Sequence, residues 1–309
     1  MLFSSHASPL QCLSKPDCRL FPGVELWVKR DDLLHPQVSG NKFRKLKYPL
    51  QNVEAHRGNF APTLISMGGP WSNHLHALAH AASLSGLSSM AFVRGLRAQG
   101  DELTATLKDC TALGMALQFV SREMYRRLRV EDLAWQELVS LLPLSSTTEA
   151  LWLPEGGRSS LALKGMAELV DELDFVPETL VVACGTGTSL AGLVAGMQGR
   201  GRVLGIACVQ NAHYLRQDVS DLLLASGYPA YQNFEILTGF EHGGFAKAPL
   251  ALRTFTQEFS LQTQLEIEPI YTAKMFYALH QLASKNFFTK NERIVAVHTG
   301  GLQGLRGFV

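Results

Sequence analysis

Lys42 is the residue of this sequence with the clearest capacity for covalent chemistry, and it lies in the segment 39–46 (SGNKFRKL). Apolar residues then recur at the spacing of a helix: Phe43, Leu46, Leu50 and Val53. Asn41 or Ser39 is a suitable N-cap for this helix. The field at a helix N-terminus, together with loss of water, lowers the pKa of a lysine ammonium group. Because the neutral amine is the form that attacks a carbonyl carbon, we interpret Lys42 as a candidate Schiff-base lysine.

The same helix has a second interpretation, in which its charges simply face water. Four neighbouring residues are basic: Lys42, Arg44, Lys45 and Lys47. Runs of charge are usually solvated, so this segment by itself leaves both interpretations open.

A glycine-rich turn is the second feature with chemical potential. The apolar residues 180–184 (LVVAC) predict a strand, and a helix is predicted to follow. Small and hydroxyl-bearing residues lie between them: Gly185, Thr186, Gly187, Thr188 and Ser189. Glycines let backbone N–H groups approach an anion, and a helix start supplies free donors. We interpret the turn as a phosphate cradle, although an ordinary strand-to-helix turn has the same composition and no P-loop lysine follows.

A similar strand–turn–helix pattern spans residues 68–74 (GGPWSNH). Ser72 and Asn73 are preferred cap residues, and with the free N–H groups of the helix start they could equally hold a carboxylate and a ring oxygen of a ligand. His76 and His80 follow four residues apart, but the residue after His76 is alanine rather than the glutamate of the zinc motif HExxH. We expect no metal site.

Two further residues lie beside predicted element ends. Tyr271 precedes a predicted helix, where its ring could stack on a flat ligand or pack in the core. Thr299 follows the apolar strand 294–298, where its hydroxyl could meet a ligand or its own turn. Ligands bind beyond the carboxyl ends of parallel strands, so a ligand role stays open for Thr299.

Composition argues against several classes of function. The chain has 309 residues, of which 46% are hydrophobic and 18% charged, and its net charge is +1. This balance is typical of a compact protein and gives no reason to expect a nucleic-acid or membrane partner. Five cysteines without a CxxC pair argue against a disulfide scaffold and fit a reducing cytoplasm, the location that we expect. No stretch reaches the ~18 apolar residues of a membrane span.

Strands and helices alternate along the chain, which predicts α/β units built on parallel sheet. We expect residues 1–23 to lie on the surface and residues 122–142 to form one helix. Segments 47–59 and 154–158 are candidate crossings between two domains. The predicted division is a large domain of residues 1–47 and 158–309 and a smaller inserted α/β domain of residues 48–157.

Seven motifs follow one another along nearly the whole chain. They are KRDD at 29–32, SGNKFRKL at 39–46, GPWSNH at 69–74, PEGG at 154–157, GTG at 185–187, YTAK at 271–274 and HTGG at 298–301. Each motif alone is modest, but the series is specific. In this order the motifs resemble those of the 1-aminocyclopropane-1-carboxylate (ACC) deaminase/D-cysteine desulfhydrase family of pyridoxal 5'-phosphate (PLP) enzymes.

The resemblance implies the tryptophan-synthase-β-like fold, fold type II among PLP enzymes: two three-layer α/β domains with the cofactor between them. It implies two catalytic residues: Lys42, which carries the cofactor as a Schiff base and removes the substrate's Cα proton, and Tyr271, which lies against the cofactor ring. Residues expected at the cofactor are Lys42, Asn73 at the ring hydroxyl, Gly185, Thr186, Gly187, Thr188 and Ser189 at the phosphate, and Thr299 at the ring nitrogen. Residues expected at the substrate are Ser72, Asn73, His74 and Tyr271.

The implied reaction is β-elimination from a small amino acid. We expect D-cysteine desulfhydrase activity, which yields pyruvate, sulfide and ammonia. By the same resemblance, ACC deaminases carry a glutamate directly after the tyrosine that aligns with Tyr271, whereas this chain has Thr272. ACC deaminase remains the alternative activity.

The segment 239–245 (GFEHGGF) departs from the family, whose members often carry a second active-site tyrosine there. His242 or Phe245 stands in its place. This departure motivates a further alternative, a catalytically idle protein that only binds PLP or another ligand. The resemblance also leads us to expect a homodimer.

Overall fold

The computed structural model describes residues 2–3, 7–14, 19–56, 62–98, 100–131, 133–141 and 149–308. Its strands are β1 (Leu10–Cys12), β2 (Val24–Lys29), β3 (Thr63–Gly68), β4 (Ser89–Arg94), β5 (Ala116–Val120), β6 (Ala150–Leu153), β7 (Thr179–Cys184), β8 (Arg202–Ala207), β9 (Phe234–Leu237) and β10 (Glu292–Val297). Its helices are α1 (Asn41–Ala55), α2 (Asn73–Leu84), α3 (Ala105–Ala112), α4 (Arg122–Val130), α5 (Ala134–Ser140), α6 (Ser160–Asp171), α7 (Thr188–Met197), α8 (Leu215–Ala225), α9 (Leu250–Thr263) and α10 (Thr272–Ser284).

Six strands form the larger sheet, in the order β1-β2-β10-β7-β8-β9. Neighbouring strands are parallel except for β1 and β2, which are antiparallel. Strand β7 (TLVVAC) is buried along its whole length, because a parallel strand covered on both faces needs a nearly continuous apolar sequence. The turns that leave β7, β8 and β10 therefore emerge at the same end of the sheet.

Four strands form the smaller sheet, in the order β5-β4-β3-β6, and all of its pairs are parallel. The turns that leave β3, β4 and β6 also share one end of their sheet.

Helices cover both faces of each sheet. Side chains of successive strand residues point to opposite faces, so Val181 packs in the core with α9 and α10 while Val182 packs with α6, α7 and α8. In the smaller sheet, Leu64 packs with α1, α2 and α3, and Ile65 packs with α4 and α5. Each sheet is thus the middle layer of a three-layer α/β unit.

Two expectations from the sequence are wrong. In the described part of the N-terminal segment, Leu13 and Leu20 are buried in the core and β1 extends the larger sheet, so the segment does more than cover the surface. The single helix predicted over 122–142 is two helices, α4 and α5. Extended backbone at Glu131 (φ −106°, ψ 110°) ends α4, and α5 then stacks Trp135 on Trp152 with ring centroids 5.6 Å apart.

The two sheets draw on different parts of the chain, which bears on the predicted domain division. Strands β3 to β6 make the smaller sheet, and the strands before and after them make the larger one. Helix α1 runs across the predicted boundary between residues 47 and 48, so the domain limits stay a prediction. None of the helices in the described ranges is long and apolar enough to cross a membrane.

Candidate active site

Helix α1 begins against the ends of two other elements. Its N-cap is Gly40, with φ +64°, rather than either of the predicted residues, Asn41 and Ser39. A Cβ atom at position 40 would lie 1.8 Å from the Thr299 carbonyl oxygen, so only glycine permits this approach. The Asn41 backbone N–H donates to that carbonyl over 3.3 Å, and the Asn41 side-chain amide donates to the Ser189 hydroxyl over 2.8 Å. The start of α1 is therefore joined to the end of β10 and to the start of α7.

Lys42, in the first turn of α1, is half-buried and lines a cavity. Loss of water lowers the pKa of its ammonium group to about 8, while a hydrogen bond with Lys45 and the nearby Glu155 carboxylate oppose that shift. Lys45 is itself buried, and burial together with the adjacent Lys42 holds its pKa well below the ordinary value. A lysine whose pKa is lowered in this way is suited to react with a carbonyl group.

The interpretation of α1 as a solvated basic helix is wrong. The Arg44 guanidinium is buried and forms salt bridges of 2.7 Å with Asp31 and with Glu172. Buried cations are retained only where partners satisfy them, as here. The basic residues of α1 thus anchor the helix on its protein side and line the cavity on the other.

The turn after β7 offers donors to an anion. Gly187 adopts a left-handed backbone (φ +76°), and α7 begins at the next residue, Thr188. The N–H groups in the first turn of a helix have no acceptor within that helix. Residues 185–189 contain no acidic side chain, and all five line the cavity. At Gly185 a Cβ atom would lie 3.0 Å from the Tyr271 ring, so this wall is kept open by the lack of a side chain.

The turn after β3 brings Ser72 and Asn73 to the cavity. Ser72 is the N-cap of α2, and its hydroxyl accepts the backbone N–H of Leu75 over 3.2 Å. Asn73 is the first helical residue, and its side-chain oxygen accepts a hydrogen bond from Gln303 near the C-terminus. The capping interpretation is therefore correct for Ser72, and it does not remove either residue from the cavity wall.

His74 is buried in the same wall with one nitrogen to spare. Its Nε2 lies 2.9 Å from the Ser66 hydroxyl, and its Nδ1 has no hydrogen-bond partner among the described residues. Burial, together with the nearby lysines, holds the pKa of His74 well below the ordinary value, so the ring is neutral at physiological pH.

Tyr271 is held at the cavity by a buried carboxylate. Glu268 accepts the backbone N–H groups of Ile270 (2.8 Å), Tyr271 (3.0 Å) and Thr272 (2.7 Å) and so satisfies the start of α10. Burial raises the pKa of Glu268 to about 7.

The segment 239–245 contains the two residues, His242 and Phe245, that were predicted to stand in place of the family's second active-site tyrosine. Phe245 lines the cavity with its ring 6.0 Å from that of Tyr271.

His242, the other candidate, packs elsewhere. Its ring lies 4.7 Å from that of Tyr277, and it is not part of the cavity wall. Phe245 is therefore the residue of this loop that faces a ligand.

The cavity has a volume of about 430 Å³ and is lined from the carboxyl ends of strands in both sheets. This volume lies within the usual range for a small-molecule site. All of the predicted site residues line it: Lys42, Ser72, Asn73, His74, Gly185, Thr186, Gly187, Thr188, Ser189, Tyr271 and Thr299. The structure thus brings every one of them to one place, while their individual roles stay predictions.

Several polar residues of the cavity wall were missed in the sequence: Lys45, Arg94, Arg129, Gln210 and Tyr214. Arg94 ends β4, and Gln210 and Tyr214 follow β8. The rule that ligands lie beyond the carboxyl ends of parallel strands could have identified these three. Arg129 comes from the last turn of α4, where no sequence signal marked it.

The chemistry of this wall fits PLP. An aldehyde requires an amine that is neutral near physiological pH, and Lys42 is suited to this. A phosphate requires several N–H and O–H donors without a competing carboxylate, which the turn 185–189 provides. A flat ring requires an aromatic or open wall, which Tyr271 and Gly185 form together.

Comparison with known proteins agrees with this fit. The chain belongs to the pyridoxal-phosphate dependent enzymes, because the model of that family matches residues 8–300. The predicted fold class and the predicted cofactor are thereby confirmed.

Its relatives within that family carry two kinds of name. A mitochondrial protein of Arabidopsis thaliana, a bifunctional D-cysteine desulfhydrase/ACC deaminase, is 28% identical over 92% of this chain and 74% of its own length. The D-cysteine desulfhydrase of Yersinia pestis is 25% identical over 97% of this chain and 93% of its own. The ACC deaminase of Rhizobium radiobacter is 24% identical over 92% and 89%. The resemblance read from the motifs is confirmed.

Solved structures agree on the fold. The crystal structure of an ACC deaminase homologue superposes with a TM-score of 0.81 and 24% identity, covering 97% of this chain and 91% of that one. A threonine deaminase from Solanum lycopersicum gives a TM-score of 0.63 with 16% identity, over 95% and 79%.

Proposed function

We propose that this protein is a PLP-dependent lyase that eliminates a β-substituent from a small amino acid, with D-cysteine desulfhydrase as its activity. Family membership supplies the cofactor. The relatives' names support both D-cysteine desulfhydrase and ACC deaminase, so the choice between the two rests on the cavity wall.

One observation favours β-elimination over opening of the cyclopropane ring. Thr272, at the position where the resemblance implies a glutamate in ACC deaminases, is fully buried and bonded to Glu268. Among the described residues of the cavity wall, the acidic side chain is Glu155, and it is occupied by Arg129 at 3.0 Å and by the Tyr125 hydroxyl at 2.6 Å. Among the described residues of the cavity wall, no unpaired carboxyl group therefore lies beside Tyr271 to assist the opening of the cyclopropane ring, which is the more demanding reaction.

In this proposal the chain holds the cofactor through five contacts. The amides and hydroxyls of residues 185–189 bind the phosphate, Lys42 binds the aldehyde carbon, and Asn73 binds the ring hydroxyl. Tyr271 lies against the ring. Thr299 offers a neutral hydroxyl to the ring nitrogen and, unlike a carboxylate, does not hold a proton there.

The substrate carboxylate is assigned to the turn after β3. Ser72 and Asn73 contribute donors from the start of α2. His74 lines the same wall, but its Nε2–H donates to the Ser66 hydroxyl, which itself donates to the Leu153 carbonyl, so the spare Nδ1 of the neutral ring can only accept a hydrogen bond. The side chain of the substrate then points away from this turn, into the rest of the cavity.

When bound, PLP supplies an electron sink for the electrons of the Cα–H bond. The substrate's amino group would first replace Lys42 at the aldehyde carbon, and the neutral amine of Lys42 that is freed would then take the Cα proton, which its lowered pKa permits near pH 8. Hydrosulfide leaves Cβ with the electrons of the C–S bond. The released aminoacrylate is hydrolysed to pyruvate and ammonia, so that atoms and charge balance.

A substrate screen tests the proposal. Purified holoenzyme is incubated with D-cysteine, β-chloro-D-alanine and ACC, and keto-acid release is measured. We expect pyruvate from the first two and at least 100-fold slower turnover of ACC. Lys42→Ala should abolish turnover and the visible absorption of bound cofactor. Lys47→Ala, on the same helix but paired with Glu168 outside the cavity, is the matched control and should retain both.

Other outcomes separate the alternatives. Rapid release of 2-oxobutanoate from ACC would identify an ACC deaminase. Bound cofactor without turnover of any of the three compounds would favour the idle ligand-binding homologue. Pyruvate release by Lys42→Ala at the normal rate would refute the assignment of Lys42.

We further propose a homodimer in the cytoplasm, with residues 48–157 as the smaller inserted domain. Sedimentation equilibrium tests the dimer, and fractionation of cells that carry the native gene tests the location. Limited proteolysis tests the division, because cleavage is expected near its two crossings.

A further inference from the structure

Arg94 contributes a positive charge to the cavity, and no acidic side chain among the described residues neutralises it. It is the last residue of β4 and lines the cavity wall. It forms no salt bridge with any residue in the described ranges, whereas Arg129, the other arginine of the wall, is paired with Glu155 at 3.0 Å. A guanidinium group stays charged at all physiological pH values.

Arg94 is exposed to solvent at the cavity, and one aromatic ring contacts its guanidinium without neutralising it. Its guanidinium carbon lies 5.7 Å from the centroid of the Tyr125 ring, a cation–π contact. Tyr125 is buried, and its hydroxyl donates to Glu155 over 2.6 Å. Since Arg129 and Tyr125 both use Glu155, that carboxylate is not offered to Arg94.

The guanidinium lies over the turn assigned to the substrate. A Cβ atom built on Gly69 would lie 3.6 Å from Nη2 of Arg94, so the group is close to the start of that turn. Gly69 and the residues Ser72 to His74 that follow line the same cavity. The guanidinium of Arg94 thus adjoins the site assigned to the substrate's carboxylate. Arg94 belongs to the smaller sheet, whereas the phosphate turn 185–189 follows a strand of the larger one.

We propose that Arg94 binds a second anionic group, one carried by the β-substituent of the substrate, so that the cavity favours amino acids with an oxyanionic leaving group. This inference rests on the proposed β-elimination. A guanidinium group matches the paired oxygens of a sulfate, sulfonate or carboxylate through two parallel N–H···O bonds.

Serine O-sulfate is a suitable probe because its chemistry balances within the proposed reaction. Lys42 takes the Cα proton, and the Cβ–O bond breaks with its electrons passing to the departing sulfate. Addition of one water to the aminoacrylate yields pyruvate and ammonia, with no oxidant or reductant required. β-Chloroalanine undergoes the same elimination with chloride as its leaving group and carries no second oxyanion.

The first experiment measures kcat/KM for serine O-sulfate and for β-chloroalanine, each as both enantiomers. In Arg94→Gln the ratio of the two values should fall about tenfold or more, the usual effect of losing a hydrogen bond to a charged group. Arg97→Gln is the matched control. Arg97 makes a similar cation–π contact, 5.1 Å from the Phe119 ring, but does not line the cavity, so its ratio should match that of the wild type.

The second experiment measures binding without turnover. Aspartate and asparagine have nearly the same shape and differ by one negative charge, and calorimetry gives their dissociation constants with holoenzyme. Arg94→Gln should weaken aspartate relative to asparagine about tenfold or more. The cofactor content of both variants is measured alongside.

Each outcome of the two experiments either supports or overturns the inference. Equal losses for the charged and neutral partners of each pair would place Arg94 at the α-carboxylate and overturn the inference, as would loss of cofactor from Arg94→Gln. Turnover of β-chloroalanine but none of serine O-sulfate by the wild type would overturn it while leaving the proposed function intact. Absence of all turnover with the predicted shift in aspartate binding would support the anion site and reject β-elimination.

Discussion

At the scale of single residues, the reactivity of Lys42 depends on its surroundings more than on its helix. The sequence predicts that the field of the helix N-terminus and loss of water both lower the pKa of Lys42, and loss of water is the cause that lowers it in the structure. Lys45 and Glu155 stabilise the charged form and so limit the shift. With a pKa of about 8, about one Lys42 amine in ten is neutral at pH 7, against about one in 3,000 for an ordinary lysine.

This lowered pKa predicts how the apoprotein takes up its cofactor. Only the neutral amine condenses with an aldehyde, so the rate should rise about tenfold per pH unit below pH 8 and level off above it. Stopped-flow absorbance of apoprotein mixed with PLP measures this rate. Lys42→Ala should show no such phase, and a rate that keeps rising past pH 10 would mean that the lysine behaves as one in water.

At the scale of elements, the site depends on how closely α1 approaches the end of β10. Gly40 lies against the Thr299 carbonyl, and the next residue bonds both to that carbonyl and to the start of α7. These contacts fix three element ends relative to one another. The positions of Lys42, Thr299 and Ser189 therefore depend on a residue without a side chain.

Gly40→Ala should for this reason cost far more than a strained backbone alone. Alanine at a positive φ costs about 1–2 kcal/mol. The added overlap with backbone should bring the loss of unfolding free energy to at least about 3 kcal/mol and impair cofactor binding. Urea unfolding and cofactor absorbance measure the two effects.

Gly23→Ala is the matched control for that variant. Gly23 also has a positive φ, +76°, but among the described residues no neighbouring atom lies within 4 Å of a Cβ atom built there. It should lose only the backbone cost. Equal losses in the two variants would show that α1 can shift away from Thr299 without consequence.

At the scale of the whole molecule, the cavity joins two separately built units. Ser72 and Asn73 come from the smaller sheet's side, and the turn 185–189 comes from the larger sheet. A ligand that contacts both stabilises the folded chain by mass action, because the unfolded chain has no such site. At 1,000 times its dissociation constant such a ligand contributes about 4 kcal/mol.

Removal of PLP should accordingly lower the melting temperature by several degrees. Differential scanning calorimetry of holoenzyme, apoprotein and reloaded apoprotein measures the change, and reloading should restore the original value. In Lys42→Ala, added PLP should produce a smaller rise because the covalent attachment is lost. A melting temperature that does not depend on PLP would mean that PLP does not bind preferentially to the folded chain, and would contradict the assigned cofactor site.

The sequence by itself, through its motifs and the family that they resemble, determined the fold class, the cofactor and part of the list of residues that meet in the cavity. Alternating apolar strands and amphipathic helices predict parallel α/β units from local periodicity alone, and the glycine and hydroxyl turns are visible because backbone donors require small residues. The burial of the basic residues of α1 could not be predicted from the sequence, because such residues are also typical of a solvated surface. Burial of Arg44 depends on its partners Asp31 and Glu172, and Glu172 lies 128 residues away along the chain.

Only the tertiary structure decided which charges face the ligand. Arg94 and Arg129 look alike in the sequence, yet one is neutralised by Glu155 and the other is not. His242 and Phe245 were equal candidates until the loop placed one ring in the cavity and the other against Tyr277. The physical reason is the same in each case: pairing and burial arise between residues distant in sequence, and no local pattern records those distances.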